Sequence, residues 1–153
     1  MIHAPVWLEL AAEREAMVPL LLEADESEPV LRGCLHDGDL YRVMAGGEAV
    51  GVLLLIREGS DALEIKNIAL SPAHRGHGLG RAAIEAVAAL ARTSGAARLL
   101  VGTADTSTGT IAFYRAVGFY EAGRLEGFFD AYPEPVVEGG VVAHDMVRFE
   151  MEL

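Results

Sequence analysis

"SPAHRGHGLGRAAIEAV", residues 71–87, sets Gly76, Gly78 and Gly80 at alternate positions between Arg75 and Arg81, directly before an alanine-rich helical pattern. Glycine loses more backbone freedom on folding than any other residue, so this spacing at a helix entrance calls for a physical reason. One reason is close approach to an anion: unobstructed amides turn toward it, and the helix N-terminus behind them adds roughly half a positive charge. Arg75 and Arg81 add full charges beside such a ligand. The glycines alone also fit a flexible turn that caps a helix. A P-loop does not fit, because no lysine followed by serine or threonine occurs in the chain. Gly78, Gly80 and Ala83 fit the dinucleotide pattern G-x-G-x-x-A, with Asp105 beyond the next strand. Against that reading, the glycines begin six residues past Leu70 instead of at the strand's end, and only 73 residues follow Gly80.

Working outward, "ALEIKNIALS" before the glycines reads as a strand, and the pattern after them predicts a helix from about Gly78 to Thr93. Leu79, Ala83, Val87 and Leu90 fall on one stripe of it, with Arg81 and Glu85 as an exposed i,i+4 pair. Upstream, "VWLEL" predicts a first strand and "AAEREAMVPLLLEAD" a helix with Met17, Leu20, Leu21 and Ala24 on one face. Ser27 followed by Pro29 marks a second, short helix, and "DLYRVMAGGEAVGVLLLIREG" a hairpin around Gly46-Gly47. Downstream come a strand in "SGAARLLVGTAD", a short helix in "STGTIAFYRAVG" ending at Gly118, a strand in "FYEAGRLEG" and a last strand in "DMVRFEMEL". In that tail Val147, Phe149, Met151 and Leu153 face inward and Met146, Arg148, Glu150 and Glu152 outward. Helices between and before strands of both pairing types imply an α/β, mixed α+β domain around one central sheet.

The 153 residues make one compact domain, residues 1–153, with no repeat or linker. A hydrophobic fraction of 52% excludes a disordered chain. The longest apolar run, Ala49 to Ile56, suits a buried strand and is too short to cross a membrane, and the first residues lack the pattern of a secretory signal. A cytoplasmic protein with no membrane partner is expected. The net charge of −11, with 12 scattered lysines and arginines, argues against nucleic acid and toward a cationic partner. The single cysteine, Cys34, reads as a small core hydrophobe.

"NIALSPAHRGHGLGRAAIEAV" resembles the acetyl-CoA signature of the GCN5-related N-acetyltransferases, the GNAT family: a strand ending in apolar residues, then R/Q-x-x-G-x-G/A, then a helix. Arg75-Gly76-His77-Gly78-Leu79-Gly80 matches every specified position. "IAFYRAVGF", residues 111–119, is similar to the family's tyrosine-bearing helix that closes the cofactor cleft. The resemblance runs from about Val43 to the C-terminus, and "GFFDAYPEPVVEGGVVAHDMVRFEMEL" looks like the end of a mostly uncharacterised bacterial subgroup.

The resemblance implies a mostly antiparallel mixed sheet splayed around acetyl-CoA as co-substrate. The backbone of Ile68, Ala69 and Leu70 would pair with the pantetheine arm, and the amides of Arg75, Gly76, His77, Gly78, Leu79, Gly80 and Arg81 would hold the pyrophosphate. The His77 ring is expected to face solvent. Tyr114 matches the tyrosine that protonates the departing thiolate; its bland alternative is a core aromatic beside Phe113. Glu64, on the strand before the loop, is where several family members carry a carboxylate that acts as base directly or through water, and Asp105, Glu134, Glu138 and His144 are further candidates. Ser107 stands where many members have asparagine and would still hydrogen-bond the cofactor. The function implied is transfer of acetyl to a primary amine in a ternary complex. The alternative is a non-catalytic acyl-CoA-binding module on the same fold. The apolar tail permits a homodimer without requiring one.

Overall fold

The computed structural model describes residues 5–25 and 27–153. Seven strands form one sheet in the order β1-β2-β3-β4-β5-β9-β6, from β1 (Val6–Leu10), β2 (Asp39–Ala45), β3 (Glu48–Glu58), β4 (Ala62–Leu70), β5 (Arg98–Ala104), β6 (Tyr120–Leu125) and β9 (Met146–Glu152). Between β6 and β9 the chain makes a small separate hairpin, β7 (Val137–Glu138) with β8 (Val141–Val142). Among the described residues, β4 and β5 alone pair in parallel; every other neighbour is antiparallel. This is the expected mixed, mostly antiparallel sheet.

Helices α1 (Val18–Leu21) and α2 (Glu28–Cys34) cover one face, where Leu21, Leu31, Leu35, Leu40, Val52 and Leu54 form a buried cluster. Helices α3 (Leu79–Thr93) and α4 (Thr108–Ala116) cover the other, over a larger core that includes Leu53, Ile65, Ala83, Val87, Leu99 and Phe149. Ser27 caps α2 as expected, its Oγ accepting from the Val30 amide at 3.4 Å. The first helix is shorter than its apolar spacing suggests. Pro19 is tolerated only in a helix's first turn, so the α-helix begins at Val18 and the residues before it make a single 3-10 turn.

One irregularity in β4 decides where the site lies. Leu54 of β3 pairs with Asn67 and the next residue, Leu55, pairs with Ile65, so Lys66 is an extra residue bulged out of the ladder. The bulge keeps Leu63, Ile65, Ile68 and Leu70 against the α3 core while Asn67 and Ala69 turn toward α1. It also bends β4 away from β5. The parallel ladder runs from Ala62↔Arg98 to Ile65↔Val101 and stops there, so the sheet forks. Beyond the fork, Ile68, Ala69 and Leu70 pair with β3 on one side only.

Candidate functional site

Two cavities open at the fork. One, about 660 Å³, is lined by Ile68, Leu70, the glycine loop, Thr110, Phe113 and Tyr114. The other, about 500 Å³, lies between the α1–α2 loop and the β7–β8 hairpin, with Lys66, Asn67, Phe129, Tyr132 and Glu138 in its walls. Ile68, Leu70, Arg75, Thr110 and Tyr114 line both and form the wall they share.

The loop joins left-handed glycines to a helix start. Gly76 at φ 79° and Gly78 at φ 77° occupy the left-handed region that side chains disfavour, and Gly78 is the N-cap of α3. The first amides of a helix have no intrahelical acceptor, so those following Gly78 offer donors at the positive end of α3. Gly80 serves packing: a Cβ there would stand 3.2 Å from Phe113 Cζ, so its absence lets α3 approach α4. Gly76, Gly78, Gly80 and Arg81 line the larger cavity, while His77 is exposed.

The arginines make bonds that the sequence did not disclose. Arg75 Nε donates to the Leu70 carbonyl at 3.2 Å, and its guanidinium lies 3.5 Å from the Glu23 carboxylate. Arg81 does not pair with Glu85 as expected; its Nη2 donates to the Ala116 carbonyl at 3.0 Å. The reason is that Ala116 ends α4, where the last carbonyls lack intrahelical donors and carry the negative end of the dipole.

Tyr114 is both core and wall. Its ring packs against Phe113, Phe119 and Phe149 at centroid distances of 5.7, 5.6 and 5.9 Å. Burial pushes its phenol up to about 12, so the hydroxyl holds its proton at neutral pH. The core-aromatic reading of this residue is met, and the same residue lines both cavities.

The other expected residues divide. Ser107 lines the smaller cavity, and its hydroxyl donates to Glu138 Oε1 at 2.6 Å, a bond that brings the β7–β8 hairpin over the start of α4. Glu64 is 8% exposed and lines neither cavity; its carboxylate lies 3.9 Å from the Arg148 guanidinium, just below the fork. Asp105 accepts from the amides of His144 and Asp145, both at 3.3 Å, and so ties one loop to the start of β9. Glu134 is exposed outside both cavities. Cys34 also lines neither; its thiol donates to the Leu31 carbonyl, and burial pushes its pKa up, which suits an inert thiol.

His144 meets Asp130 at 2.7 Å on the surface, and that hydrogen bond raises its pKa above the ordinary 6.5. The charged pair is then fully present below the unfolded value and is lost as pH rises through the raised one. Titration of the His144 ring followed by NMR is expected to give a midpoint above 6.5, returning toward it in Asp130→Asn. An unmoved midpoint in the variant contradicts the pairing.

Residues that sequence reasoning did not single out complete the smaller cavity: Glu23 and Asp25 from the α1–α2 loop, Lys66 and Asn67 from the bulge, Phe129 and Tyr132 from the segment after β6. Among the described residues no cluster of histidine, cysteine and acidic side chains could hold a metal ion, and no helix is long and apolar enough to cross a membrane.

Comparison with known proteins gives a consistent result. Residues 7–119 match the acetyltransferase (GNAT) family. The chain is 30% identical over 148 residues to an uncharacterised N-acetyltransferase of Bacillus subtilis, YvbK, covering 95% of this chain and 96% of that one. A GNAT family acetyltransferase from Elizabethkingia anophelis, crystallised with acetyl-CoA bound, has a TM-score of 0.89 and 31% identity, covering 97% of this chain and 99% of that one. A Bacillus subtilis acetyltransferase in complex with CoA has a TM-score of 0.86 and 30% identity, with the same coverage of 97% and 99%.

Proposed function

The chain belongs to the GNAT family of acetyltransferases, whose acetyl donor is acetyl-CoA, and from that premise we propose that it acetylates a cationic primary amine by direct transfer in a ternary complex. The observation that carries this reading is the shared wall: two cavities meet at Tyr114, so donor and acceptor can reach each other with no protein nucleophile between them.

The larger cavity fits an acyl-CoA. Its helix-terminal amides and left-handed glycines suit a pyrophosphate, and the one-sided edge at Ile68, Ala69 and Leu70 offers backbone groups to the amides of a pantetheine arm. Arg75, His77, Leu79 and Arg81 contribute through the loop's backbone, and Arg75 and Arg81 also through charge. When bound, acetyl-CoA supplies the thioester carbonyl that the amine attacks. The N–C bond forms, the C–S bond breaks, and Tyr114 Oη gives its proton to the departing sulfur. The ammonium gives one proton to solvent before attack; the surplus proton of the attacked amine then passes through water to Glu64, whose carboxylate stands below the fork and outside the cavity walls, and solvent returns a proton to the Tyr114 oxygen. Ser107, engaged by Glu138, holds the hairpin over the site and reaches the cofactor only if that bond opens.

The acidic surface and the carboxylates of Glu23, Asp25 and Glu138 in the smaller cavity favour an acceptor with positive charge. Thiol release from acetyl-CoA with putrescine, phenethylamine and a glycyl dipeptide as acceptors tests the proposal. Amine-dependent release, with the acetylated amine found by mass spectrometry, is the expected result. Tight acetyl-CoA binding with no transfer to any amine would overturn it. Glu64→Gln is expected to lower kcat about 10²-fold with the acetyl-CoA KM unmoved, at the low end of general-base effects because the proton is relayed. An unchanged kcat would remove Glu64 as the base.

A further inference from the structure

Asn67 follows the bulged Lys66 on β4, is 8% exposed, and lines the smaller cavity. Its orientation is set by a bond to α1: Nδ2 donates to the Leu21 carbonyl at 3.3 Å. A carbonyl can pair only with the amino end of an amide, so the oxygen must occupy the other position. That oxygen, Oδ1, is buried and has no hydrogen-bond partner among the described residues. A buried acceptor left unpaired is costly, and the cost is relieved when a donor reaches it. The surroundings say which donor. Glu23, Asp25 and Glu138 bring three carboxylates to the same cavity against two cations, Arg75, held by Leu70 and Glu23, and Lys66, whose bulged side chain is exposed, and Phe129 and Tyr132 bring aromatic faces.

Resting on the amine-acetylation reading above, we infer that Asn67 Oδ1 is the anchor of the acceptor: it accepts a hydrogen bond from the nitrogen that becomes acetylated. Asn67 takes no proton in the reaction. It fixes one N–H so that the nitrogen lone pair is free to face the wall at Tyr114, and it selects acceptors that still carry an N–H to give. The adjoining carboxylates and aromatic rings suit an alkyl or arylalkyl amine that arrives protonated and gives one proton to water before its lone pair attacks.

The test compares Asn67→Ala with Asn67→Asp, using whichever of putrescine, phenethylamine and the glycyl dipeptide the wild type turns over fastest. Both substitutions lose the donor to Leu21, but only the aspartate keeps an acceptor oxygen. The amine KM is expected to rise about tenfold in the alanine variant, as loss of one charge-assisted hydrogen bond implies, and to stay within about threefold in the aspartate variant. The acetyl-CoA KM is expected to hold in both. Equal amine KM values in the two variants, whether both raised or both unchanged, would overturn the inference, because a purely structural role acts through the shared loss at Leu21. If neither variant folds, the side-chain amide resonances of Asn67 in the wild type give the answer: they shift on adding the amine if the anchor operates and stay in place if it does not. A wild type that acetylates no amine removes the transfer reading itself, and that result precedes any variant.

Discussion

Tyr114→Phe is expected to lower kcat about 10²-fold while leaving the dissociation constant of acetyl-CoA within about twofold, the signature of a group that acts on the departing sulfur and not on binding. The change deletes one oxygen and keeps the ring that packs on Phe113, Phe119 and Phe149, so the fold should lose little. Because burial holds the phenol's pKa at about 12, Tyr114 is protonated throughout the physiological range, and no alkaline limb of the kcat profile is expected from it at lower pH. The same shift has a stability consequence. A proton bound more tightly in the folded chain than in the unfolded one favours folding fully below the ordinary tyrosine value of 10.0, and that contribution disappears as pH climbs through about 12. The variant should therefore resist alkaline unfolding somewhat better than the wild type. Stopped-flow thiol release and calorimetric titration separate the two effects. An unchanged kcat would assign Tyr114 to the core alone.

Much of this site is legible in local sequence because its parts are local. The glycine loop, the apolar end of β4 and the tyrosine helix each announce themselves within about ten residues, since each solves a backbone or packing problem on its own. The fork left a trace as well. In "EIKNIAL" two polar residues, Lys66 and Asn67, separate Ile65 from Ile68, and a regular period of two cannot put both isoleucines on one face. Only an extra residue in the strand does, which is the bulge observed. What local pattern could not show is contact across long separations. The bond from Ser107 to Glu138 spans 31 residues, and the bond from Asn67 to Leu21 spans 46. Arg81 illustrates the same limit: helical spacing offered Glu85, but the α4 terminus, placed by the tertiary fold, offered an unpaired carbonyl. The smaller cavity joins the α1–α2 loop, β4, β5, α4 and the segment after β6, so its lining is much less readable from the sequence than the glycine loop is.

Gly78→Val is expected to weaken acetyl-CoA binding about 10²-fold, as the loss of two charge-assisted hydrogen bonds would imply. Gly78 caps α3 at φ 77°, and a β-branched residue there is strained whatever space surrounds it. Relief requires the loop to rotate, which in the proposed binding mode turns away the amides that would meet the pyrophosphate and fills the room left by missing side chains. Some loss of stability accompanies this, so a decline in binding alone would not identify its cause. Gly95 provides the control. It follows the other end of α3 at φ 87°, has no atom within 4 Å of an added Cβ, and lies outside both cavities. Gly95→Val therefore imposes a like backbone penalty with no access to the ligand. Calorimetry of acetyl-CoA binding beside thermal melts should show comparable losses of Tm in the two variants and a loss of affinity in Gly78→Val alone. Equal affinities would mean that the glycines serve the turn and not the ligand, and the pyrophosphate would have to be held elsewhere.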